Sequence, residues 1–217
     1  MLLFKQSQVF SSSIKRQLFI LIMRASLIAI FAGLSAISNG ASISCGDPLS
    51  TGTLWYRNAT SISYEGQIGV LKAYGNAELL AKYPNSNVQA HTIQVLPCNS
   101  TYLNATASSE KDIPVKLQLA DDTINCLALE SNGAANVFVT KQTCQDGDDD
   151  SQTAQFWTQD AEYGLLFPTW ASESAERWNL QFNQYDTEEV IANPPECFED
   201  QTCQDGEHYS FVIKESS

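Results

Sequence analysis

The sequence predicts an all-β fold, a β-trefoil of three pseudo-repeats held by disulfides, on three observations. Short runs alternate apolar with polar residues, as in Val115-Lys-Leu-Gln-Leu119, Trp178-Asn-Leu-Gln-Phe182 and Tyr209-Ser-Phe211, which is the period of a half-buried strand. One hexapeptide returns: Thr143-Cys-Gln-Asp-Gly-Asp148 recurs as Thr202-Cys-Gln-Asp-Gly-Glu207, and each copy is followed by an aromatic strand. All six cysteines, Cys45, Cys98, Cys126, Cys144, Cys197 and Cys203, lie in the part of the chain that repeats. Three units of about four short strands give some twelve strands. Six of them closing a barrel and three hairpins capping it would leave no open sheet edge.

Residues 1–41 read as an N-terminal leader. Met23-Arg24 is followed by the apolar run Ala25 to Ile37 and then by Ser38-Asn39-Gly40-Ala41, the order of a secretory signal peptide, with cleavage between residues 38 and 42. Either Met23 is the natural start or residues 1–22 are an unusually long basic front end. A rival reading makes Leu18 to Ile37 an uncleaved anchor, against a cost of about 3 kcal/mol for Arg24 near a bilayer centre. No later stretch is long and apolar enough to span a bilayer. Residues 42–217 are therefore expected to be one secreted domain without membrane contact once the leader is cleaved.

Within that domain the repeats run over about 45–105, 113–160 and 161–214. The first is the faintest and is placed by Gln89-Ala-His-Thr-Ile-Gln-Val95; its segment Asn76 to Tyr83 is the one place where a turn or two of helix is expected. The second holds Cys126-Leu-Ala-Leu129, Val137-Phe-Val139 and Gln155-Phe-Trp157, and the third Trp178 to Phe182 and Tyr209 to Ile213. Turn residues punctuate all three.

Charge narrows the function. The chain has 12 Lys plus Arg against 25 Asp plus Glu, and four of those bases, Lys5, Lys15, Arg16 and Arg24, sit in the leader. A polyanion of this kind repels phosphate backbones and anionic lipid, which excludes nucleic acid as a partner.

The even cysteine count fits an oxidising compartment. Six cysteines allow fifteen pairings; sequential pairing is expected because Cys126 with Cys144 and Cys197 with Cys203 are close neighbours within one repeat. These two would contribute about 3 and about 2 kcal/mol, and Cys45 with Cys98 about 4. Sequons at Asn58, Asn99 and Asn104 are candidate N-glycosylation sites.

Cys126-Leu-Ala-Leu129, Gly133, an apolar strand, Cys144 and then Gln155-Phe-Trp157 resemble one repeat of a ricin B-type lectin, a trefoil family whose repeat carries a cysteine pair and closes on a Q-x-W motif. The resemblance is clear over 113–160, moderate over 161–214 and weak over 45–105. It implies that Trp157 fills the barrel core while Gln155 satisfies buried backbone groups. Gln89-Ala-His91 and Tyr209-Ser-Phe211 are then the degenerate counterparts. The sugar positions of the family are an Asp two after the first cysteine, an aromatic two before the second, and an Asn just before Q-x-W. Here they carry Ala128, Gln142 and Ala154, and Leu180, Gln201 and His208 in the third repeat; Lys72 stands at the Asp position of the first. None has the required chemistry, so the usual galactose-type pocket is missing.

Other chemistry is thin. Asp146, Asp148 and Asp150 imitate the start of a calcium loop, but Ser151 stands where its Gly belongs and Trp157 where its Glu belongs, so a solvated acidic loop over 145–153 is preferred. With two histidines, His91 and His208, no G-x-S-x-G elbow and no H-E-x-x-H, no enzyme, metal or cofactor is expected. Trp55, Trp170 and Trp178 fit stacking on a ligand and core packing equally. The reading is a secreted, carbohydrate-binding, lectin-like protein with a non-standard or lost sugar pocket. The alternative is a secreted protein-binding trefoil, such as a hydrolase inhibitor, using the acidic loop. The partner is accordingly a glycan or an extracellular protein.

Overall fold

The computed structural model describes residues 42–58, 63–72, 78–84, 87–107, 111–131, 136–169, 178–183, 188–193 and 207–215. The leader, Cys197, Cys203, Gln201 and Trp170 lie outside them. The described residues form an all-β fold of fourteen strands and one short 3-10 turn, Asp150–Gln155. In order the strands are β1 (Ser44–Cys45), β2 (Ser50–Asn58), β3 (Gly66–Lys72), β4 (Glu78–Tyr83), β5 (Val88–Gln89), β6 (Thr92–Asn99) and β7 (Asp112–Leu119). There follow β8 (Asn125–Leu129), β9 (Val137–Thr143), β10 (Phe156–Asp160), β11 (Leu166–Pro168), β12 (Asn179–Phe182), β13 (Val190–Asn193) and β14 (Tyr209–Glu215).

Six of these pair in a closed antiparallel circuit, β2–β6–β7–β10–β11–β14 and back to β2. Closure removes the exposed edges that such short strands would otherwise present. The remaining long pairs are hairpins: β3 with β4, β8 with β9, and β12 with β13. The hairpins also touch one another, through Leu79 opposite Thr140, Phe138 opposite Ile191, and Glu189 opposite Ala81.

Alternation puts one face of each circuit strand inside. Val115, Leu117 and Leu119 of β7 are fully buried, as are Val95, Leu166, Phe211 and Trp157. Each such side chain contributes about 1.5–3 kcal/mol by leaving water. Trp157 stacks on Phe211 with ring centroids 5.8 Å apart, and its Nε1 donates to Leu127 O at 3.1 Å, so the one polar atom of the buried indole is satisfied. Gly52 admits the close approach of β14, since a Cβ there would strike Lys214 O.

The segment expected to turn helical is a strand. Glu78–Tyr83 pairs with β3 from Lys72 opposite Glu78 through Gln67 opposite Tyr83. Leu79, Leu80 and Ala81 are all buried, because the hairpin is covered on both faces. A run buried on both sides loses the alternation that marks a strand in sequence. Two disulfides follow the sequential pattern, Cys45–Cys98 and Cys126–Cys144; the second spans hairpin β8–β9 near its open end.

Candidate functional site

The positions at which the lectin family holds its sugar are closed or spent in the second repeat. Ala128 is fully buried in β8, its side chain has no polar atom, and its carbonyl accepts from Thr140 Oγ1 at 3.3 Å. The Gln142 amide donates to Leu129 O at 3.3 Å and to Thr140 Oγ1 at 2.9 Å, while Ala154 packs against the core. Gln155 is buried and uses both ends of its amide on the backbone: Oε1 accepts from Gln145 N at 2.9 Å and Nε2 donates to Thr143 O at 2.7 Å. Leu180 is buried, His208 half-buried, and Lys72 closes strand β3.

The acidic loop is not simply solvated. Asp148 reaches into the turn after β6, where it accepts from Ser100 Oγ at 2.5 Å, Thr101 N at 2.8 Å and Gln152 Nε2 at 3.1 Å. The Ser100 hydroxyl first, then the Thr101 and Tyr102 amides, hold its carboxyl below the usual range against the effect of burial. Asp149 caps the 3-10 turn by accepting from Ser151 N. Behind the loop, the buried Lys116 donates to Gln145 O; burial lowers its pKa to about 8 against the opposing pull of Asp146. Asp148 therefore spends its oxygens inside the fold, and Asp146, Asp149 and Asp150 remain exposed.

The other sequence candidates disperse. Trp178 is buried, which removes it as a platform. Trp55 is half-buried, donates to Thr53 Oγ1 at 2.9 Å, and carries the Lys214 ammonium over its ring at 4.3 Å. His91 pairs with Asp121 at 3.0 Å and borders a cavity of about 10 Å3, room for one water at most. Asn58 ends β2 half-buried. Asn99 is exposed, with its Oδ1 accepting from Ala107 N at 2.8 Å, and Asn104 is exposed at a turn with φ of 50°.

What the structure does bring together is a seam between hairpins β12–β13 and β3–β4. Tyr56 of β2, Phe182 of β12 and Tyr209 of β14 face one another there. Their centroids lie 4.7 Å (Tyr56–Phe182), 5.3 Å (Tyr56–Tyr209) and 4.8 Å (Phe182–Tyr209) apart, with interplanar angles of 71°, 89° and 59°. All three are half-buried and lean on the main core. Each sits two residues along its strand from an interior residue, Leu54, Leu180 and Phe211, and so shares that face while approaching the surface. Gly66, opposite Tyr56, makes room for the ring; a Cβ there would lie 2.6 Å from it.

Charges ring the seam. Lys82 Nζ stands 4.2 Å from the Phe182 centroid and 5.6 Å from that of Tyr56, and is paired with Glu188 at 2.9 Å. The Tyr209 hydroxyl donates to Glu207 at 2.5 Å, and Glu65 accepts from Asn58 N at 3.2 Å. Burial, then the Glu207 hydrogen bond and charge, push the Tyr209 phenol well above its usual value. Burial raises Tyr56 as well, helped by Glu65 and Glu188 and opposed by Lys82. Both phenols thus keep their protons and remain hydroxyl donors at neutral pH. Sequence reading missed this group: Phe182 and Tyr209 were visible only as strand residues, and Tyr56, far from both along the chain, was not singled out.

No family model matches this chain, and no curated protein matches it. Among solved structures it is similar to a Caenorhabditis elegans protein of unknown function, at 12% identity and a TM-score of 0.42, over 83% of this chain and 99% of that one.

Proposed function

We propose that this chain is a secreted β-trefoil of ricin B-like descent that binds carbohydrate, with its sugar site displaced to the Tyr56–Phe182–Tyr209 seam. The register supports the trefoil. Ala81, Thr140 and Ile191 stand opposite Gly69, Ala128 and Gln181 in their hairpins. The contacts between hairpins then run in a cycle, Leu79 to Thr140, Phe138 to Ile191 and Glu189 to Ala81, each from two residues before such a station to the next hairpin's station. On that alignment Ile93 and Phe211 take the station of Trp157, facing Gly52, Leu166 and Val115 respectively. His91 then stands with Gln155 and Tyr209 at the Gln station, two residues from where the motif alignment set it.

Two disulfides support export to an oxidising compartment. The observation that carries the binding reading is the seam itself. Three half-buried rings offer an apolar face for a pyranose, and Glu65, Glu207 and the two phenols surround it as partners for sugar hydroxyls. The test is a glycan array probed with the secreted protein beside its Tyr56→Ala and Phe182→Ala variants. Specific spots that both variants lose are expected. A blank array, or spots indifferent to both changes, would discard the seam as a sugar site.

A second reading, a protein-binding trefoil such as a hydrolase inhibitor, is favoured by the anchoring of the acidic loop. Asp148, Gln155 and Lys116 hold it while Asp149 and Asp150 point outward. Inhibition of an extracellular hydrolase, lost in an Asp149→Ser, Asp150→Ser variant, would mark that reading; inhibition that survives the double change would remove the loop from it.

A further inference from the structure

We infer that the seam is a receptor for a charged amine, the protonated amino group of an amino sugar, and that Lys82 occupies that place as a built-in competitor. This rests on the glycan-binding reading of the same seam and names its substrate class. Three rings at 71°, 89° and 59° to one another form a corner, and ring faces are the negative pole of the aromatic quadrupole. An ammonium is already seated there: Lys82 Nζ, over Phe182 and Tyr56 and against Glu188. Its side chain is 27% exposed and that of Glu188 60%, so the lysine reaches the corner from the solvent side and can swing away. A carboxylate opposite Phe182 and Tyr56 then holds whatever cation replaces it.

The surrounding charge selects the ligand. Among the described residues, Glu65, Glu188 and Glu207 act on the two phenols against one cation, Lys82, in a chain of net charge −13. A uronic or sialic acid would meet like charge on arrival, and a neutral or N-acetylated sugar would gain ring contact alone. A protonated amino sugar gains both the ring corner and the carboxylate. Lys141 marks the contrast at the neighbouring hairpin seam. It is paired to Glu78 at 2.9 Å and Asp122 at 3.3 Å with a side chain only 12% exposed, an ordinary buried-edge ion pair.

The experiment is calorimetric titration of the secreted protein with a β-1,4-glucosamine tetramer and with the N-acetylated tetramer, at a pH where the free amine is charged. Wild type should bind the glucosamine tetramer at least about threefold more tightly, the scale of an exposed cation–ring contact. Lys82→Met and Lys82→Gln, each checked for an unchanged melting transition, should raise affinity for the glucosamine tetramer a further threefold or more. The N-acetylated tetramer, which recovers ring contact but not the carboxylate, should gain less. Adding Glu188→Gln to Lys82→Met should cancel the gain. A Lys82 variant that binds the amine no better, or gains equally for both tetramers, overturns the inference while leaving the glycan reading standing. Failure of folded wild type to bind either tetramer or any array glycan overturns both. If one Lys82 variant does not fold, the other and the wild-type preference still decide.

Discussion

Lys82 and Lys141 stand at the same station of two neighbouring hairpins, opposite Ile68 and Leu127, and each reaches 2.9 Å to a glutamate of an adjoining hairpin, Glu188 and Glu78. At the remaining seam the corresponding pair is Ala192 opposite Val137, both buried. One arrangement is thus built twice with ions and once with apolar side chains. The apolar seam is sealed, whereas the ionic ones leave their charged groups within reach of solvent.

That duplication predicts unequal roles. At the Lys141 seam, burial works against the charge, but the hydrogen bonds that the ammonium donates to Glu78 and Asp122 outweigh it and raise the lysine pKa. A double-mutant cycle of Lys141→Met with Glu78→Gln should give a coupling of about 0.5–1 kcal/mol in denaturant melts, the scale of a partly exposed ion pair. Neither change should alter glycan binding. Coupling near zero would mean that the pair is incidental to holding the hairpins together.

Lys116 predicts a pH dependence with a definite sign. Its folded pKa of about 8 lies below the ordinary 10.5 because burial penalises the charge. Between those values the unfolded chain binds the proton and the folded chain does not, so this residue makes stability rise with pH. Lys116→Met should remove that rise. The stability of the variant relative to wild type should fall by about 1–3 kcal/mol from below pH 8 to above 10.5. Parallel stability curves for the two proteins would contradict the assigned burial.

Asp148 predicts a slope of the same sign at acid pH, from a charge the fold favours instead of one it penalises. Hydrogen bonds from Ser100 and from the Thr101 and Tyr102 amides hold its pKa below 3.8, so its contribution is present above that value and is lost as pH falls through the depressed one. Asp148→Asn should cost about 2 kcal/mol at neutral pH, since donors built for a carboxylate would face an amide. It should also flatten the acid limb of the stability curve. A variant as stable as wild type would show that the loop is not anchored there.

How far the sequence carried the fold follows from which signals are local. Gln155-Phe-Trp157 and the Cys126–Cys144 span lie within one repeat, and their spacing was enough to place strands, turns and a bridge. On the proposed trefoil alignment His91 shifts by two residues from its motif position, and a slip of two keeps every side chain on the same face and leaves the alternation intact. Only cross-strand partners, Ile93 with Gly52 and with Leu119, distinguish the two choices. The Glu78–Tyr83 strand was hidden by burial on both faces. The seam of Tyr56, Phe182 and Tyr209 was hidden by distance along the chain: each ring reads as ordinary strand filling until closure of the circuit brings β2, β12 and β14 side by side.

Gly66 gives a test of that seam that leaves all three rings in place. It pairs with Tyr56 across β2 and β3, and a methyl group at its Cα would lie 2.6 Å from the tyrosine ring carbon and 2.9 Å from its hydroxyl. The ring is braced behind by Phe182 and Tyr209, so Gly66→Ala should tilt Tyr56 out of the corner instead of compressing it. The expected cost in stability is modest, about 1–2 kcal/mol by denaturant melt, as for other overpacked sites. The expected cost in glycan affinity is larger in proportion, tenfold or more, because the Tyr56–Phe182 corner would lose its edge-to-face geometry. Gly66→Ala that folds normally and binds every array glycan as wild type does would show that the ring corner plays no part in recognition.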